Sequence, residues 1–388
     1  MFAYLLIATG LITLVFGAEC LVRGASRLAG LVRISQLTIG LTVVAFGTSA
    51  PELAVSVASS LSGRADIAVG NVVGSNIFNV LLILGLSAII TPLIVDRKLV
   101  RFDVPLMIGA SLLTWWFCLD GLVDRMEGAI LFAGILTFTG RCLIVGRQES
   151  RASRQDASTA IEEFDDHASV NRRNRVSGIL WQLFLAAGGL TLLVLGAAWL
   201  VDGATEVARR FEVSELVIGL TIVAAGTSLP ELATSIVAAM KGERDIAVGN
   251  VIGSNLFNLL GVLGLTAIVS PNEIAVANQA VQFDIPIMVA VSVACLPVFM
   301  TGYLITRLEG GMFLGYFIAY TIILVLMAAN NDGLPSVRKW MFEFVIAVTM
   351  ITLVFTIFRL WFQKKLTQGG SGITQFTDLE KQKTPKRF

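Results

Sequence analysis

Two glutamates stand in strongly apolar surroundings at the ends of matching runs. Glu52 closes Gly47-Thr48-Ser49-Ala50-Pro51-Glu52, and Glu231 closes Gly226-Thr227-Ser228-Leu229-Pro230-Glu231. A carboxylate in such a medium must be paired, solvated, protonated or liganded, and no Lys or Arg lies within a few turns of either glutamate on its own segment. The neighbouring residues suit a bound cation. Pro51 and Pro230 bring no N–H, and their rings clash with the carbonyls of Gly47 and Gly226, four residues back. The helices are therefore expected to unwind and to free carbonyls around Ala45–Gly47 and Ala224–Gly226. Thr48 and Ser49, with Thr227 and Ser228, add hydroxyls, and Thr48 shares a helix face with Glu52, four residues on. Ser75 and Asn79, matched by Ser254 and Asn258, add a second polar pair at the same spacing. Carboxylates, hydroxyls, amide oxygens and carbonyls form an all-oxygen set, which selects hard cations. Two carboxylates carry a charge that one Ca2+ or two Na+ neutralise, so competition between these ions is the simplest exchange such a site allows.

The elements that must position these groups are transmembrane helices. Of 388 residues, 55% are hydrophobic and only 15% charged, and mean hydropathy is +0.79, well outside the range of soluble domains. The formal net charge of +1 excludes an electrostatic nucleic-acid binder. Cys20, Cys118, Cys142 and Cys295 have no ligand spacing and read as small buried hydrophobes, and His167, the single histidine, lies in the most polar stretch. Spans of roughly 20 apolar residues fall at about 2–22, 36–61, 67–91, 103–119, 128–145, 179–201, 214–240, 246–270, 283–302, 311–329 and 340–362. The fold class expected is an all-α polytopic membrane protein. The first span lacks a basic n-region and is read as retained. Residues 146–177 form a charged linker and 364–388 a Lys-rich tail, both read as weakly ordered. Arg23, Arg27, Arg33, Arg97, Lys98, Arg101, the linker arginines and the tail lysines all fall on one side if the N-terminus is outside, so an N-out, C-in topology is expected.

The chain repeats itself. LTIGLTVVAFGTSAPELAVSVASS at 37–60 aligns with LVIGLTIVAAGTSLPELATSIVAA at 216–239, and DIAVGNVVGSNIFN at 66–79 with DIAVGNVIGSNLFN at 245–258. All pair at the separation between Glu52 and Glu231, without a gap, and Gly24-Ala25 with Gly203-Ala204 extend the register. The two motif helices are separated by an odd number of spans, so the repeats enter the membrane with opposite orientation. An inverted repeat of this kind is the framework of alternating access in secondary transporters.

The paired motifs, GTSAPEL with GNVVGSNIFN and GTSLPEL with GNVIGSNLFN, resemble the alpha-repeat signatures of the cation/calcium exchanger superfamily. Over about residues 1–330 the chain resembles prokaryotic sodium/calcium exchanger-like proteins. The resemblance implies two inverted five-helix repeats, at 1–145 and 178–330, joined by the linker at 146–177. It implies that helices two, three, seven and eight line the cation sites, with helices one and six sliding across them. It assigns Thr48, Glu52, Thr227 and Glu231 as Ca2+ ligands. It assigns Ser49, Ser75, Asn79, Ser228, Ser254 and Asn258, with the carbonyls of Ala45 and Ala224, as Na+ and water ligands. It implies an electrogenic Na+/Ca2+ antiporter of a prokaryotic plasma membrane with no cofactor, Ca2+ and Na+ being its cargo. Potassium-dependent relatives carry Asp where this chain has Asn79 or Asn258, and proton-coupled ones a GNA-type motif where it has GTS; both departures favour Na+ coupling without K+. An extra span at 331–363, containing Glu343, goes beyond the short members.

Plainer roles compete at several positions. Small residues also pack helices. Asn76 and Asn255 are expected to hydrogen-bond between helices, and Asp66, Asp245, Asp103 and Asp284 to serve helix N-termini. Glu162, Glu163, Asp165 and Asp166 read as a solvated acidic run. The rival functions are an H+- or K+-coupled exchanger of the same class, a passive cation channel, and an intramembrane enzyme, for which neither HExxH nor GxGD is present.

Overall fold

The computed structural model describes residues 2–63, 65–160, 168–211 and 224–329, with isolated positions 339, 343, 350, 351 and 354. His167, the acidic run of the linker, the tail and nearly all of the expected span at 340–362 lie outside the described residues. The helices are α1 Phe2–Val32, α2 Gln36–Thr48, α3 Ala50–Leu61, α4 Ile67–Ile90, α5 Leu99–Asp120 and α6 Arg125–Ala160 in the first half. The second half holds α7 Ala168–Arg210, α8 Ala224–Gly226, α9 Leu229–Met240, α10 Arg244–Val269, α11 Ala280–Met300 and α12 Arg307–Ala329. Among the described residues eight helices are long and apolar enough to cross a bilayer, and α2 with α3 forms a ninth span bent by 41°. The protein is an all-α integral membrane protein. The linker differs from its reading: α6 runs into it as far as Ala160 and α7 begins at Ala168. Residues 147–177 contain no Gly or Pro, so polar helix formers simply continue the flanking helices.

The halves interlock through equivalent elements. Gly10, Gly17 and Gly24 of α1 face Leu200, Leu193 and Ala186 of α7 so closely that an added Cβ would lie 2.7, 2.7 and 2.9 Å from their backbone nitrogens. Gly189, Gly196 and Gly203, at the repeat separation from those three, make the reciprocal approach to Leu21, Leu14 and Ala3. Contact positions rise along one helix as they fall along the other, so α1 and α7 are antiparallel. Two equivalent membrane-crossing helices can be antiparallel only if the axis relating them lies in the membrane plane, which makes the repeat an inverted one. Short strands repeat the exchange at the loop ends: Leu93–Ile94 pairs with Leu304–Ile305, and Leu122–Val123 with Ile274–Ala275. The innermost helices are α4 and α10, 72% and 83% buried, against 22–33% for α1, α6, α7 and α12. Both carry π-helical turns, Asn79–Leu84 and Phe257–Val262, beside the second polar motif.

Candidate cation site

Each half-helix break falls one turn later than the proline argument places it. Residues Ala45–Thr48 and Ala224–Gly226 remain helical, and the chain turns at Ser49 and Ser228, with ψ of 7° at both. Pro51 and Pro230 occupy the first turns of α3 and α9, where a missing N–H is harmless, so they start the second half-helix instead of unwinding the first. The Ala45 carbonyl is consequently not free: it accepts the Ser49 N–H at 3.0 Å, leaving one lone pair. In the other half the Ser228 N–H bonds the Ala225 carbonyl at 3.2 Å instead of that of Ala224. Gly63 and Gly242, with φ of 76° and 79°, turn the chain back so that α4 and α10 lie beside the glutamate helices.

The breaks bring the two halves together around one centre. Ser49 Oγ donates to Glu231 Oε1 at 2.9 Å, and Ser228 Oγ donates to Glu52 Oε1 at 3.0 Å. Each serine thus reaches the glutamate of the opposite half, which sets both carboxylates on a common space. Ser228 Oγ also lies 3.0 Å from Ser75 Oγ. Asn79 Nδ2 donates to Asn255 Oδ1 at 3.0 Å and Asn258 Nδ2 to Asn76 Oδ1 at 3.4 Å. Asn76 and Asn255 pass their own amide protons to the sulfurs of Met288 and Met107, so they are the interhelical linkers expected of them. Holding the Asn79 and Asn258 amide groups this way leaves each Oδ1 as the atom without a neighbour.

The oxygens left over define the chemistry. Glu52 Oε2, Glu231 Oε2, Asn79 Oδ1, Asn258 Oδ1 and Ser254 Oγ are all buried and have no hydrogen-bond partner. Both glutamates are fully buried, and no Lys or Arg pairs with either among the described residues. Buried acceptors are normally satisfied, and buried charge is normally paired or coordinates a metal. One oxygen of each carboxylate and two amide oxygens, all buried without donors, form an electronegative set with room in its bonding for a hard cation. No cluster of three or more His, Cys, Asp or Glu occurs among the described residues, so any metal held here rests on the two carboxylates and neutral oxygens.

Reading the sequence missed four residues. Asn71 and Asn250 accept from Thr227 Oγ1 and Thr48 Oγ1 at 3.3 and 3.1 Å, and donate to Ser56 and Ser235, both at 3.0 Å. All four sit at matching repeat positions in apolar helices, which was the available signal. The helix-terminal role expected of Asp103 and Asp284 is corrected. Neither side chain caps its helix. Each closes a π-helical turn that aims it at a neighbouring helix: Asp103 pairs with Arg141 at 3.3 Å and Asp284 accepts from Tyr320 at 2.9 Å. Asp245 does stand in the first turn of α10, and the Asp66 side chain lies outside the described residues. Cys118, Cys142 and Cys295 are buried, and none of the four cysteines is in a disulfide.

Comparisons with known proteins show the family. Residues 2–140 and 181–326 match the family described as sodium/calcium exchanger protein. The chain is 39% identical over 325 residues to the putative antiporter CaxA of Alkalimonas amylolytica, covering 83% of this chain and 98% of that one. It is 33% identical over 344 residues to the sodium/calcium exchanger MaX1 of Methanosarcina acetivorans, again 83% and 98% covered, and 40% identical over 293 residues to the inner membrane protein YrbG of Escherichia coli, 75% and 87% covered. Among solved structures, the sodium-calcium exchanger NCX_Mj superposes with a TM-score of 0.69 at 31% identity, over 84% of this chain and 98% of that one.

Proposed function

We propose that this chain, which belongs to the sodium/calcium exchanger family, moves Ca2+ against Na+ through the site between Glu52 and Glu231. It is an antiporter of the cation/Ca2+ exchanger type in an integral membrane protein; the coupling ion, the ligand roles and the mechanism are the proposal. The carrying observation is the set of buried, unpartnered oxygens to which both halves contribute. Glu52, Glu231, Thr48 and Thr227 hold Ca2+. Ser49, Ser75, Asn79, Ser228, Ser254 and Asn258, with the carbonyls of Ala45 and Ala224, serve Na+ and water. Ca2+ or two Na+ neutralise the glutamates, and a further Na+ per cycle moves net charge, so transport is electrogenic. Asn at both 79 and 258 leaves no third carboxylate for K+. The close-packed pair α1 and α7 moves as one body across the glutamate helices, exposing the site to alternate sides. The N-terminus lies outside and the C-terminus in the cytoplasm of a prokaryotic plasma membrane. The units are the repeats at 1–145 and 178–330, the linker between them, a further span at 331–363 and the tail.

Purified protein in liposomes tests this with one gradient imposed at a time. Ca2+ uptake should follow an outward Na+ gradient, respond to membrane potential, and ignore K+. Uptake that follows a pH gradient and ignores Na+ overturns the coupling ion, and Ca2+ flux that needs no counter-ion means a channel.

A further inference from the structure

We infer that Asn71 and Asn250 are positioning residues of the exchange site, each fixing from the opposite half the hydroxyl proton of the threonine beside a glutamate. The inference rests on the proposed Ca2+ role of Thr48 and Thr227. A threonine hydroxyl has one proton and two lone pairs, so it serves a cation only when its proton is held elsewhere. Thr48 Oγ1 lies 3.1 Å from Asn250 Oδ1 and 3.4 Å from the Ala45 carbonyl, with the Glu231 carboxylate also beside it. While the proton lies on Asn250, the lone pairs of the hydroxyl are free and Ala45 keeps the one not used by the Ser49 N–H. Remove the Asn250 acceptor and the proton turns to Ala45 or to the Glu231 carboxylate, covering a lone pair of another proposed ligand. One lost amide oxygen therefore blocks one proposed ligand and re-aims the lone pairs of another.

The amide cannot turn round to evade this. Asn250 Nδ2 faces the backbone carbonyl of Glu231 at 3.5 Å and Ser235 Oγ at 3.0 Å, and a carbonyl accepts only, so the nitrogen must point there and Oδ1 toward Thr48. Asn71 is held the same way by the Glu52 carbonyl at 3.3 Å and Ser56 Oγ at 3.0 Å, with Oδ1 toward Thr227 at 3.3 Å. Each asparagine thus joins the backbone under one glutamate to the hydroxyl beside the other, so displacing one half during transport disturbs the ligands of both.

Transport by the full-length protein in liposomes, with initial Ca2+ uptake measured against Ca2+ at a fixed Na+ gradient, tests the role. Asn250→Leu should raise half-saturating Ca2+ about tenfold while lowering the maximal rate by less than about threefold. Added to Thr48→Val, which has no proton to hold, the same change should shift half-saturation by less than about twofold. Effects that multiply in the double variant overturn the inference and leave the exchanger reading intact; wild-type vesicles that take up no Ca2+ under any gradient overturn both. If Thr48→Val transports too slowly, Ca2+-induced thermal stabilisation of the purified variants gives the same cycle. If Asn250→Leu does not fold, Asn71→Leu with Thr227→Val carries the test from the other half.

Discussion

The centre of the molecule and its helix ends treat the repeat differently. At the centre most contacts between the halves have their mates: Ser49 with Glu231 and Ser228 with Glu52, Asn79 with Asn255 and Asn258 with Asn76, Thr48 with Asn250 and Thr227 with Asn71. The contact of Ser228 with Ser75 is an exception, since the equivalent Ser254 Oγ has no partner. Toward the helix ends the mates diverge. Asp103 is met by a guanidinium and Asp284 by a phenol. Glu19 of α1 pairs with Lys241 at 2.7 Å and with Arg23, and Ser26 donates to Glu243 at 2.7 Å, whereas the positions equivalent to Glu19 and Lys241 are Ala198 and Ser62. In the proposed alternating access the two arrangements exchange the roles of the halves through a pseudo-two-fold axis, so ligands must match to bind the ion equally in both. Contacts made in only one arrangement set the balance between them, and these need not match. Symmetry survives where both states use the same atoms and lapses where one state is favoured.

The largest test of this contrast is at the carboxylates. Glu52→Gln and Glu231→Gln should each lower Ca2+ uptake about 100-fold in reconstituted vesicles, because each leaves the other charge buried with half its complement. Full transport by either variant would remove the glutamates from the site. Asn79→Leu and Asn258→Leu each delete one buried, unpartnered oxygen, for an expected rise of about tenfold in half-saturating Ca2+ or Na+. The two should agree within about threefold; a large effect at one and none at the other would break the functional symmetry that the hydrogen bonds imply.

How far the sequence carried the reading depends on the range of each interaction. The spans and the repeat were legible because hydrophobic runs and an ungapped self-match are local in the chain. The glutamates, serines and motif asparagines were legible because polar residues in an apolar helix stand out alone. Asn71 and Asn250 were not read as functional, since what they do lies in partners 156 and 202 residues away. The break was placed a turn early because Pro51 was treated as interrupting a helix, when it begins one. The helical continuation of the linker was missed because its charge content was weighed as disorder, while its lack of Gly and Pro pointed to helix. Asp103 and Asp284 were expected at helix N-termini; their π-helical turns, which rotate them toward α6 and α12, leave no mark on hydrophobic periodicity.

Those two aspartates give the middle-sized test. Arg141 stacks on the Phe102 ring and reaches a buried Asp103, and its side chain is 36% exposed. Arg141→Leu should cost about 2 kcal/mol, below the full penalty of an orphaned buried charge because water reaches the site from the arginine side. Tyr320→Phe removes a neutral donor from Asp284 and should cost about 1 kcal/mol. Apparent melting of the purified protein should fall further for Arg141→Leu, with half-saturating Ca2+ unchanged in both. Equal losses would mean that the halves differ in residue type but not in electrostatics.

The smallest effect belongs to the contacts between α1 and the turn joining α9 to α10. Lys241 and Glu19 are each about a quarter exposed (26% and 29%), so their attraction is screened and stabilises the closed contact by no more than about 1 kcal/mol. In the proposed topology this contact lies on the cytoplasmic side and holds α1 against the α9–α10 hairpin. Lys241→Ala should therefore move the population toward the inward-open state by no more than about fivefold. The shift should appear as a lower half-saturating Ca2+ on the cytoplasmic face, with the opposite face moving the other way, and it should shrink at high ionic strength. Equal changes on both faces would mean that the ion pair steadies α1 in every state. A one-sided contact that favours one state must change the two faces in opposite directions, and a symmetric ion site cannot.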